Sequence, residues 1–299
     1  MKLLFFVVFA VIIASGLACS QSSSFFADPH AFIDQQQPGD VPQRFTPPRM
    51  TDSGYFVLGR VAFSEDGKEF YYGANNQWYS NDNQIVNYYR FENGSWKGPL
   101  LLGKQISGPT FSMDGKTLYV ANNGVQQMSR TSSGWSEPKP YLNRSYTLYN
   151  FMPTKSGRTY VGSNGTWGAR DDYSSWRFAV MPANIADTSI QNLGEPLNSP
   201  GFNGDFYIAP DESYMIISAK ETKDFESELW ISFRKENNTW TTPQSLGDAI
   251  NSGAAHRFGQ YVSPDGKFLF YTKGTSEKDC ALYWVRFDGL LEKLRKTEK

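Results

Sequence analysis

Hydrophobic and polar positions alternate in short runs along most of this chain, and the runs are separated by small polar clusters. Glu228–Arg234 and Ala281–Arg286 show the pattern most plainly. Alternation with a period of two places successive side chains on opposite faces, so these runs predict half-buried β-strands. One such unit recurs. Phe63–Tyr72, Phe111–Val120 and Val262–Tyr271 each read as an apolar residue, Ser, a variable residue, Asp-Gly-Lys and then a second apolar run. A fourth copy, Ile208–Ile217, keeps Pro210-Asp211, and a degraded fifth, Met152–Val161, carries Ser156-Gly157. Asp-Gly supplies a side-chain acceptor for the turn and a residue that tolerates positive φ, so each copy predicts a hairpin. The turn residues Asp66, Asp114, Ser156, Asp211 and Asp265 are spaced by 48, 42, 55 and 54 positions. That period suits one four-stranded propeller blade.

A second repeat follows the first at variable distance: Trp96 before Pro99, Trp135 before Pro138 and Trp240 before Pro243, each led in by an Asn or Gly turn. These segments read as the outer edge of each blade, where proline is tolerated. The fold expected is an all-β single propeller of four-stranded blades. Five blades follow from the repeats, and a sixth would need a blade formed mainly from the N-terminal segment. Residues 42 to 58 are expected to add an outer strand to the last blade, which protects open sheet edges.

The repeat Ser-Pro-Asp-Gly-Lys followed by a strand such as Leu229–Lys235 and then Trp240 to Gly247 resembles the TolB-type β-propeller repeat family of bacterial exported proteins. The resemblance covers residues 37 to 299. It implies a propeller fold and a place among periplasmic or lipoprotein members, and is almost silent on activity, because one fold hosts many functions.

Met1-Lys2, the apolar run Leu3–Ala14 and the small-residue stretch to Ala18 form the three parts of an export signal over 1–18. Cys19 after Leu17-Ala18 resembles a bacterial lipoprotein processing site, so Cys19 is the expected lipidation site; cleavage after Ala18 is the alternative, leaving a secreted protein. The expected location is the cell envelope, periplasmic or on the outer membrane, with membrane contact only through a lipid on Cys19. Residues 19–41 read as a polar linker and 42–299 as the propeller with a short charged C-terminal helix. Apart from Cys19 the chain holds only Cys280, which excludes a disulfide framework. With 29 basic and 30 acidic residues the net charge is −1, too even to build a phosphate-binding field, so nucleic acid is not an expected partner.

Candidate chemistry is sparse. No nucleophile elbow, zinc-protease motif, phosphate loop or cysteine pair is present, so no cofactor is expected. Asn81-Asp82-Asn83 lacks the spaced oxygen ligands of a calcium loop, so no metal is assigned. If the strand before each turn lines the central channel, its entry positions are Arg60, Ser107, Asn150, Asn203 with Asp205, and His256 with Arg257. This polar ring suits a sugar or an anionic group, because Arg binds carboxylates bidentately and amides bond hydroxyls. Trp167, Tyr173 and Trp176 on the Asn164–Ser175 insertion and its edge suit ring stacking. The leading reading is a non-enzymatic envelope propeller binding a glycan or protein partner at the channel mouth through Arg60, Asn150, Asn203, Asp205, His256, Arg257, Trp167 and Trp176. Two alternatives stand beside it. One is a polysaccharide lyase or glycosidase acting on acidic polysaccharide, with His256, Tyr261 or Asp205 in proton transfer and Asp171 or Asp172 as a further acid. The other is a scaffold subunit of an envelope complex.

Overall fold

The structure is a computed structural model describing residues 25–297, except 52–53, 79, 81, 143, 166–174, 185, 203 and 220–225. The described strands form five antiparallel sheets arranged as a five-bladed β-propeller. The innermost strands are Phe56–Phe63, Ser107–Phe111, Tyr149–Pro153, Phe206–Ile208 and His256–Val262, for blades 1 to 5 in turn. Each packs against the inner strand of the next blade, and the fifth packs against the first, which closes the ring.

The repeat motif explains itself locally. In blade 1 the Ser64 hydroxyl donates to the Asp66 carboxylate at 2.6 Å, while the same hydroxyl accepts the Glu69 N–H at 2.9 Å. Asp66 in turn accepts the Lys68 N–H at 3.1 Å. Ser112 with Asp114 and Ser263 with Asp265 repeat the arrangement. The serine therefore ties the two strands together across the turn. The residue after Asp holds a positive φ, 76° at Gly67 and 74° at Gly266, where a side chain would be strained.

Closure is narrower than the sequence implied. Of residues 42 to 58, Gln43–Arg44 forms the outer strand of blade 5, pairing with Tyr283 and Trp284, whereas Phe56 onward begins the inner strand of blade 1. The segment before it behaves differently from a polar linker. Phe26, Phe32 and Ile33 are buried in the core between blades 5 and 1, where Phe32 meets Phe63, Phe268, Phe270 and Trp284. These few apolar residues, set among polar ones, show no periodicity because they reach the core from an irregular turn. The C-terminal helix, Asp288–Thr297, lays Leu290, Leu291 and Leu294 on the core of the neighbouring blades. Among the described residues no helix is long and apolar enough to cross a membrane.

Candidate functional site at the channel mouth

Four of the five inner strands carry a bulge at the same level, and each bulge is made by a residue in the left-handed region: Gly59, Gly108, Asn150 and Gly259, with φ of 81°, 58°, 50° and 66°. A bulge redirects the side chains beside it. Here it brings Arg60, Thr110, Asn150, Asp205 and Gln260 together across the channel. Gly259 has no room for a Cβ, which would lie 2.4 Å from the Gly59 carbonyl carbon, so inner strands 5 and 1 touch backbone to backbone.

The polar cluster is continuous. Arg60 Nη2 donates to Asn150 Oδ1 at 2.8 Å and to the Phe206 carbonyl at 3.1 Å, and Nη1 donates to Thr110 Oγ1 at 3.3 Å. Asn150 Nδ2 donates to Asp205 Oδ1 at 2.8 Å, and Asp205 Oδ2 accepts the Gly259 N–H at 3.0 Å. Asn150 thus links a cation to a carboxylate through one amide. Gln260 Nε2 donates to the Asp205 carbonyl at 3.2 Å. Burial pulls the Arg60 guanidinium down to about 10, opposed by the nearby charge of Asp205.

Above this floor lies a cavity of about 370 Å³. Arg60, Ser107, Asn150 and Asp205 line it with Tyr119, Tyr149, Phe151 and Phe258. Tyr119 and Phe151 stand 4.9 Å apart between ring centres, and Trp176 stacks on Tyr149 at 4.5 Å with 26° between planes. The site is therefore polar at the base and aromatic along blades 2 and 3.

Other predicted residues lie elsewhere. Arg257 is 1 % exposed, and its five N–H groups meet the carbonyls of Ser227, Ile250, Ser252, Gly253 and Ala255. It pins the loop before blade 5 and offers no donor to a ligand, because alternation turns it away from the channel. His256 is buried against Phe258, with Ser227 Oγ 3.4 Å from Nδ1, and does not line the cavity. The Tyr261 hydroxyl faces blade 1, accepting the Phe63 N–H at 3.0 Å, and burial drives its pKa upward. Of the three groups considered for proton transfer, His256 and Tyr261 do not line the cavity and Asp205 does. Asp205 is the one acid among the cavity's described lining residues, so the paired carboxylates of a glycosidase are not found there. Cys19, Trp167, Asp171, Asp172, Tyr173 and Asn203 fall outside the described residues.

Thr110, Tyr149 and Gln260 escaped the sequence reading. Gln260 was hidden by a shorter approach to its turn: Arg60, Asn150 and Asp205 each stand six residues before Asp66, Ser156 and Asp211, whereas Gln260 stands five before Asp265.

No protein-family model matches the chain, and none of the curated proteins compared with it does. Solved structures do. TolB from Acinetobacter baumannii is 14% identical with a TM-score of 0.46, over 76% of this chain and 54% of TolB, so the chain spans about half of TolB's length. A gluconolactonase from Xanthomonas campestris is 11% identical with a TM-score of 0.45, over 83% of this chain and 96% of that enzyme. A putative 6-phosphogluconolactonase from Bacteroides uniformis is 12% identical with a TM-score of 0.37, over 71% of this chain and 76% of that one. At these identities the comparisons concern the fold alone.

Proposed function

We propose that this chain is a non-enzymatic binding propeller of the bacterial cell envelope that takes a glycan at the channel mouth. The observation that carries the reading is the pairing of a hydrogen-bonding floor with an aromatic wall in one cavity. A sugar presents the same two surfaces, hydroxyls around its rim and C–H groups on its face. The cavity volume of about 370 Å³ lies at the small end of ligand pockets. Exported localisation, with residues 1–18 as signal and Cys19 as lipid anchor, is part of the proposal; Cys19→Ser is expected to release the protein from the membrane fraction.

The test is to incubate the purified mature protein with a polysaccharide panel, measuring retention on the polymer and release of oligosaccharide together. Retention without release, weakened by Trp176→Ala, is the expected result. Release would overturn the non-enzymatic reading. Neither retention nor release would overturn the glycan reading and direct attention to a protein partner.

A further inference from the structure

Resting on the glycan reading, we infer that the channel mouth selects neutral sugars, holding ring hydroxyls between the Asp205 carboxylate and Arg60 Nη1, and discriminates against uronates and sulfated sugars. The argument is a count of what the floor still has to offer. A guanidinium recognises a carboxylate or sulfate through two parallel N–H groups. Arg60 cannot present that fork. Both hydrogens of Nη2 are taken by Asn150 Oδ1 and the Phe206 carbonyl, and Nε is sealed inside the protein without an acceptor. Nη1 gives one hydrogen to Thr110 and keeps a single one.

Asp205 supplies the opposite half. A carboxylate has about four acceptor positions. Asp205 uses one on each oxygen, for Asn150 Nδ2 and the Gly259 N–H, so it retains capacity for donors. It lines the cavity itself, where an incoming anion meets its charge. A hydroxyl both donates and accepts, so neighbouring hydroxyls can give to Asp205 and receive from Arg60. A ligand carboxylate can do only the second. The Asn150 amide cannot turn to compensate, since its oxygen is held by Arg60 and its nitrogen by Asp205. Of the two ligand classes the polar ring suited, a sugar or an anionic group, this favours the uncharged sugar.

The experiment compares matched ligands, galactose oligosaccharides against galacturonate oligosaccharides of equal length, by titration calorimetry on the wild type and on Asp205→Asn. The wild type is expected to bind the neutral series at least about tenfold more tightly, the scale of one charge-assisted hydrogen bond. In Asp205→Asn the preference is expected to shrink or invert, because the repelling charge is gone while the shape is kept. A merely damaged fold would weaken both series alike, leaving the ratio unchanged; that result, or tighter binding of galacturonate by the wild type, overturns the inference while the glycan reading stands. If neither galactose nor galacturonate binds, the neutral series is extended to glucose, mannose and xylose oligosaccharides. Binding there, with the same response to Asp205→Asn, supports the inference; no binding by any sugar overturns both.

Discussion

Two arginines one strand apart in the ring show how differently the same residue type is used. Arg257 has its five donors matched by backbone carbonyls, so its work is to fix a loop. Arg257→Ala withdraws those donors from the interior, leaving Ala255 to the Ser227 N–H and Ser252 to Lys273 but taking the arginine from the Ser227, Ile250 and Gly253 carbonyls. It is expected to destabilise by about 3 kcal/mol or more, read as a lower denaturation midpoint. Glu212 is a third case. It stands where other repeats have glycine, with φ of 61°, and is 2 % exposed. Burial resists its ionisation, but hydrogen bonds from Ser156, Thr154 and Tyr160, together with Arg158 and Arg234, outweigh that and bring its pKa down to about 2. Because the folded value lies below the ordinary 4.5, Glu212 contributes stability that is complete above about 4.5 and lost as pH falls toward 2. Glu212→Gln is therefore expected to cost about 3 kcal/mol at neutral pH, the scale of a broken buried pair. Thermal melts at stepped pH should show its gap from the wild type closing across that window, and a constant gap would contradict the assignment.

At the scale of elements, the turn Ala31–Asp34 shows burial overcoming backbone preference. Phe32, Ile33 and Asp34 hold φ near 55°, 58° and 56°, which costs L-residues about 1–2 kcal/mol each. Fully burying Phe32 and Ile33 returns about 1.5–3 kcal/mol apiece, enough to hold the turn. Phe32→Ala removes the anchor and keeps the strain, so a loss of about 3–5 kcal/mol is expected in chemical denaturation, far above that of an exposed linker residue. The inner and second strands of blade 3 make a different pairing. Tyr149 lies across Gly162, where a Cβ would fall 1.9 Å from the ring. Gly162→Ala is expected to push Tyr149 from its place against Trp176 and to weaken glycan retention, while circular dichroism still reports a folded propeller.

For the whole molecule, stability depends on closing a ring whose last sheet is completed by a strand from the segment preceding the first blade. Gln43 and Arg44 pair with Trp284 and Tyr283, and the Phe45 N–H continues the edge to Leu282 at 2.8 Å. A chain lacking residues 1–45 would expose that edge and the pocket left by Phe32 and Phe45. It is expected to melt at least about 10 °C lower and to self-associate on size exclusion, since unpaired edges recruit other strands.

Much of this architecture was legible in the sequence because it is local. Asp-Gly turns, the serine that ties them and alternating strands are written within about ten residues, so blade number and inner strands followed from the repeat. Arg60, Asn150 and Asp205 were legible for the same reason, as residues set just before each turn. What the chain order could not convey is which way a side chain points after a bulge. One left-handed residue shifts the alternation, so Gln260 faces the channel while Arg257 turns into a nest of carbonyls. Nor could it show that Phe26 and Phe32 would return across the seam, or that Trp176 would stack on Tyr149, because these contacts join distant segments. Local hydrogen bonding selects the blades; the close packing of five of them around one axis decides which polar groups remain free to meet a ligand.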